Sequence, residues 1–255
     1  MDEREQAYLT ATAPEELARL THGMVDQQRF RFLAAERLRR ILPSVGEYDR
    51  VRFEGYRAWI EDAGPPFASL NLQDEFDVSC VPDSSGMFID LCWSCIRSDR
   101  PMFIAVDAAE AEARDFPRFE EPPLGTGKHS RTREKRAARK AVIEQLRQDW
   151  KTEFENHRRP YDSEFGEQFR CVAGNPFRPV VVHPDWLTPT VVGIAAAIDV
   201  TLAIDRLPIL ADALQDAGCT QIALLDHVRG PNVHVRGCWV IDLLLGRLMN
   251  LSTVG

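Results

Sequence analysis

The stretch from Thr188 to Gly246 is punctuated so densely that only short helices fit between its stops. Thr188 followed by Pro189 is a capping residue ahead of a first-turn proline, and it opens a helix running to about Val200. Asp205 opens a second helix through Leu210 and Leu214, which Ala217-Gly218 ends. A third spans Gln221 to Val228 and stops at Gly230-Pro231. A fourth carries Cys238, Trp239, Ile241, Leu244 and Leu245 and ends at Gly246. Short punctuated links between short helices predict a compact helical packing unit. Ahead of it, the proline-rich segment Gly174 to Pro184 reads as an extended arm anchored by Trp186 and Leu187.

The N-terminal region is also read as helical. Thr12 is placed to cap a helix with Pro14 in its first turn, Glu15 and Glu16 suit its dipole, and Leu17 and Leu20 form its apolar side. From Asp26 to Leu42, Phe30, Leu33, Ala34, Arg37, Leu38 and Ile41 recur at helical spacing, and Pro43 ends the run. Arg29, Arg31, Arg37, Arg39 and Arg40 make this helix basic, which reads as a solvated arginine face over a packed core. Tyr48 to Ala63 is a further helix, with Val51, Tyr56, Trp59 and Ile60 inward.

Residues 70 to 107 admit two readings. FDVSCV, MFIDLCWSCI and PMFIAVD can form a small antiparallel sheet around 74–107, or the segment can be helical with a start at Ser98 or Asp99. Cys92-Trp93-Ser94-Cys95 depends on this choice, because two thiols three apart share a face only on a helix. A single CxxC reads as buried structural cysteines.

Pro117, Pro122, Pro123, Gly125 and Gly127 make a linker. The GTGK within it lacks the first glycine and the hydroxyl residue of a phosphate loop. A charged helix follows, Ser130 to Arg159, with Ala137, Ala138, Ala141, Val142, Leu146 and Trp150 as its apolar stripe. Arg131, Arg133, Lys135, Arg136, Arg139 and Lys140 crowd its first half and are the candidate contact for nucleic acid. Positive charge at a helix N-terminus opposes the dipole, so a solvated face is the preferred reading.

The fold class is therefore mainly α: a compact multi-helix domain, with a small antiparallel β insertion as the alternative around 74–107. Its parts are 1–120, an N-terminal helical region; 121–173, a linker and charged helix; and 174–255, an extended arm plus four-helix unit.

Two stretches resemble a planctomycete protein family to which no activity is attached. The C-terminal residues carrying the resemblance are GNPFRPV, DWLTPTVV, LPILADAL, AGC and HVRGCWVIDLLLG. Near the start, the family pattern WLxATDP is similar to Tyr8-Leu9-Thr10-Ala11-Thr12-Ala13-Pro14, with Tyr for Trp and Ala for Asp. Its RKLRLFA segment is similar to Gln28-Arg29-Phe30-Arg31-Phe32-Leu33-Ala34, and Arg39-Arg40-Ile41 follows. The two stretches cover a little over half of the chain. The resemblance implies helical sequence in the middle region and no particular chemistry.

One constellation carries chemistry. Cys219, His227, His234 and Cys238 fall within twenty residues, and two thiolates with two imidazoles are a zinc ligand set. His234 and Cys238 are four apart and would share a face on a helix. The competing reading makes Cys219 and Cys238 small core residues and needs no cofactor. No nucleophile triad, carboxylate pair or nucleotide loop emerges.

The net charge of -8 argues against general nucleic-acid or anionic-membrane binding. The expected partner is another protein, with no membrane, in the cytoplasm. The expected function is a non-enzymatic helical interaction module, the alternative being a zinc- or thiol-dependent enzyme or sensor using the Cys/His cluster.

Overall fold

The computed structural model describes residues 2–41, 105–106, 117, 119–122, 133–231 and 233–248. The expected helix at Tyr48–Ala63, the choice between sheet and helix over 70–107 (apart from Ala105 and Val106, which are helical and buried), and the Cys92/Cys95 pair lie outside them. The described residues form eight α-helices and no strand. These are α1 Glu3–Thr10, α2 Pro14–Thr21, α3 Arg31–Ile41, α4 Arg133–Ala173, α5 Pro189–Thr201, α6 Leu207–Asp216, α7 Ile222–Arg229 and α8 Trp239–Leu244. The protein is mainly α. No helix among the described residues is long and apolar enough to cross a membrane.

The C-terminal helices end where local chemistry tells them to. Thr188 Oγ1 accepts the Val191 N–H at 3.3 Å, with Pro189 next in the chain. At the end of α6, Gly218 N–H reaches Gln215 O at 2.8 Å and Cys219 N–H reaches Leu214 O at 2.9 Å, the paired closure of a Schellman motif. The start of α6 differs from the expected one: Ile204–Arg206 forms a 3-10 turn, and the helix proper begins at Leu207. In the arm, Trp186 packs against the core, whereas Leu187 is exposed.

The N-terminal cap is also corrected. The residue before Pro14 is Ala13, no side chain caps α2, and Thr12 lies outside the helix. Pro14 alone suits the first turn, because its missing N–H would be unpaired there anyway. The basic run begins as a 3-10 turn at Gln27–Phe30 before α3. Arg37 is not on a solvated face: it is fully buried, donates to Gln168 Oε1 through Nε at 3.0 Å and Nη2 at 2.8 Å, and lies over the Phe165 ring. Arg40 grips both oxygens of Glu164 nearby, so two arginines tie α3 to α4.

The charged helix is longer than its sequence suggests. At 41 residues, α4 has a contour of about 60 Å and continues through Pro160. Proline removes one intrahelical bond. Across that gap Arg158 Nε holds Asp162 Oδ1 at 3.1 Å, and Arg158 also pairs with Glu15 of α2 at 3.1 Å. Beyond the proline, Phe165, Phe169 and Val172 are fully buried against Tyr8, Leu17, Phe30 and Leu33. Burial of this end keeps the helix intact past its breaker.

The first half of α4 differs from the expected stripe. Val142 and Leu146 are exposed among the described residues, and Arg136 and Lys140 point outward. The linker is tied along this half: Trp150 Nε1 donates to Pro117 O at 2.8 Å, Arg139 to Pro122 O at 2.9 Å, and Arg147 pairs with Glu121 at 3.3 Å.

Two apolar clusters share the end of α4. The first joins α1–α3 to Phe165, Phe169 and Val172; the second joins Cys171 to α5–α8, with Leu210, Leu214, Leu224 and Val240 fully buried. Val235 packs against both.

The arm is pinned by Glu5. Its buried carboxylate accepts from Asn175 Nδ2 at 3.0 Å and pairs with Arg178 at 2.6 Å. The Asn175 hydrogen bond holds this carboxyl below the ordinary glutamate value, Arg178 adds to the effect, and burial opposes it. A lowered folded pKa gives a contribution to stability that is complete at neutral pH and is lost as pH falls through the folded value. Glu5→Gln is therefore predicted to flatten the stability curve below about pH 4. An acid limb identical to that of the parent protein would contradict the role given to Glu5.

Candidate metal centre

Four side chains from three separated segments converge where the second cluster meets α4. Cys171 comes from the last turn of α4 and His227 from the last turn of α7. His234 stands on the link between α7 and α8, and Cys238 is the residue that precedes α8. Their ligand atoms all lie within 4.8 Å of one another.

His227 Nε2 is 3.3 Å from Cys238 Sγ, and His234 Nδ1 is 3.8 Å from Cys171 Sγ. A tetrahedral zinc with Zn–S near 2.3 Å and Zn–N near 2.0–2.1 Å has S–N edges of about 3.5 Å. Both observed distances fall close to that edge. The two imidazoles stand edge to face, with centroids 4.9 Å apart and planes at 76°. His234 Nε2 is buried and has no hydrogen-bond partner among the described residues.

The Cys171 thiol donates to Cys238, which raises the Cys171 pKa well above its ordinary value, and burial adds to this. The same bond brings Cys238 well below the ordinary thiol value, with help from His227 and His234 and against the cost of burial. Sulfur and imidazole nitrogen are the ligand types that suit zinc. Behind the site, burial raises the Asp242 pKa while Arg247, 3.1 Å away, pulls it down.

The structure brings together three of the four residues expected from sequence and replaces the fourth. Cys219 is not in the cluster. It follows Gly218, whose φ of +83° turns the chain, and its N–H closes the end of α6; its side chain is buried in the second core. Cys171 takes its place. The other correction concerns His234 and Cys238, which share no helix: α8 starts at Trp239, and Cys238 has extended-type ψ of 127°. A loop, not helical spacing, turns both inward. Gly237 makes this loop possible, with φ of +85° and a Cβ position only 3.4 Å from Arg29 O. Asp242 pairs with Arg247, and Arg229 with Asp212.

Sequence spacing gives no sign of Cys171. It lies in the last turn of a helix far upstream, and no short motif joins it to the others. The one indirect signal is its place three residues before Gly174-Asn175-Pro176, a run that stops a helix.

Comparison with protein-family models, with curated proteins and with solved structures finds no match. The centre is therefore interpreted from its own chemistry.

Proposed function

We propose that the chain is a zinc-stapled helical module in which Cys171, His227, His234 and Cys238 hold one Zn²⁺. The observation that carries this reading is the convergence of all four ligand atoms within 4.8 Å, with the two S–N distances near a tetrahedral edge. Two thiolates and two imidazoles fill four positions and leave none open, which is the pattern of a structural rather than a catalytic zinc. The metal would join the end of α4 to the α7–α8 link. Its role is to hold the helices that a partner protein would contact, so the module is read as non-enzymatic.

Metal analysis of the purified protein tests this, followed by reconstitution with Co²⁺. One zinc per chain, and the visible bands of a tetrahedral Co²⁺–thiolate site, are expected. A protein that neither retains zinc nor takes up cobalt would overturn the staple.

A further inference from the structure

The N-terminal helices are built onto this centre from the outside. Arg29 donates through Nη1 to Ala173 O at 3.3 Å and through Nη2 to Val172 O. These are the carbonyls of the two residues after Cys171, at a helix end where carbonyls lack intrahelical partners. Tyr8 Oη donates to Gly174 O at 2.6 Å, one residue further on. Across the loop, Arg29 O lies 3.4 Å from where a Cβ on Gly237 would stand, and the Arg236 guanidinium sits 5.3 Å from the Phe32 ring centre. Val235, between two of the ligands, packs into the N-terminal core as well as the C-terminal one.

Arg29 thus stands beside the chain on both sides of the cluster: its guanidinium binds the carbonyls that follow Cys171, and its own carbonyl faces Gly237, the residue before Cys238. Its Nε is buried with no partner among the described residues. A buried donor left unpaired carries a desolvation cost, which the two carbonyl bonds of the guanidinium offset.

Resting on the zinc staple above, we propose that metal occupancy and docking of residues 2–41 are one coupled equilibrium, with Arg29 as the positioning residue between them. Zinc fixes Cys171 relative to Cys238. That sets the two carbonyls and the Gly237 backbone at the spacing that Arg29 bridges. By reciprocity, a docked N-terminal region holds Cys171 in ligating position and tightens metal binding. Groups that orient ligands from behind commonly change metal affinity by about 10–100-fold when removed.

The test uses the full chain. Hydrogen exchange is followed over 3–41 with zinc bound and after chelation, and zinc affinity is measured by competition with a chromophoric chelator. Removal of zinc is expected to raise exchange in α1 and α3 together with the 233–238 loop. Arg29→Met is expected to keep one zinc but bind it about tenfold more weakly, and Arg29→Lys, which can still donate to the carbonyls, to recover part of the loss. Unchanged protection of α1 and α3 in the chelated protein, or parental zinc affinity in Arg29→Met, would overturn the coupling while leaving the staple standing. A parent protein that binds no zinc would remove the staple and the coupling together. If Arg29→Met does not fold, the exchange comparison on the parent chain decides the matter.

Discussion

Cys171→Ala is expected to abolish stoichiometric zinc, whereas Cys219→Ala is expected to retain it. The two residues are both buried cysteines, at 1% and 3% exposure, and a reading from spacing alone prefers Cys219. Only Cys171 lies with His227, His234 and Cys238. Under the proposed staple, removing one of the four ligands would leave an open, three-ligand site. Structural zinc contributes on the order of 10–16 kcal/mol in small zinc-dependent folds, so loss of the ion is expected to destabilise the whole C-terminal half. Cys219→Ala removes one sulfur from an apolar core and is expected to cost about 1 kcal/mol. Metal content and thermal unfolding of both variants check the pair. Equal zinc content in the two would show that the four-residue cluster is not the site.

Phe169→Ala is expected to destabilise the protein by about 3–5 kcal/mol, the usual cost of emptying a fully buried phenylalanine position. Phe169 has no exposed surface, and its ring centre lies 4.7 Å from that of Phe30 and 5.9 Å from that of Phe165. It therefore holds the 3-10 turn before α3 against α4. The cavity could not close easily, because Phe165 and Phe30 are themselves buried and Arg37 lies over Phe165. For a chain of this size the melting temperature should fall by roughly 6–20 °C. Thermal or denaturant unfolding measures it, and a loss below about 1 kcal/mol would mean that the N-terminal helices contribute little to the cooperative unit.

These two sites lie two residues apart on one helix and face different cores, which shows how unevenly the sequence could be read. The ends of the C-terminal helices were legible. Thr188, Pro189, Gly218 and Gly246 act within about one helical turn of themselves, so their effect is written in adjacent residues. His227, His234 and Cys238 were also legible as a cluster, because they are close together in the chain. Thr12, by contrast, was a plausible cap that the backbone does not use. Arg37 read as one more solvated cation and is buried against Gln168.

The sequence by itself determined a mainly helical chain, the stops of its last helices and three of the four residues at the candidate centre, since capping and spacing are local interactions. The tertiary structure alone decided that α4 continues through Pro160, that Arg37 turns inward and that Cys171 displaces Cys219. Each of those outcomes depends on packing against residues distant in the chain. Burial of the Phe165–Val172 face outweighs one lost backbone bond at the proline, and it brings Cys171 to the loop that carries His234 and Cys238.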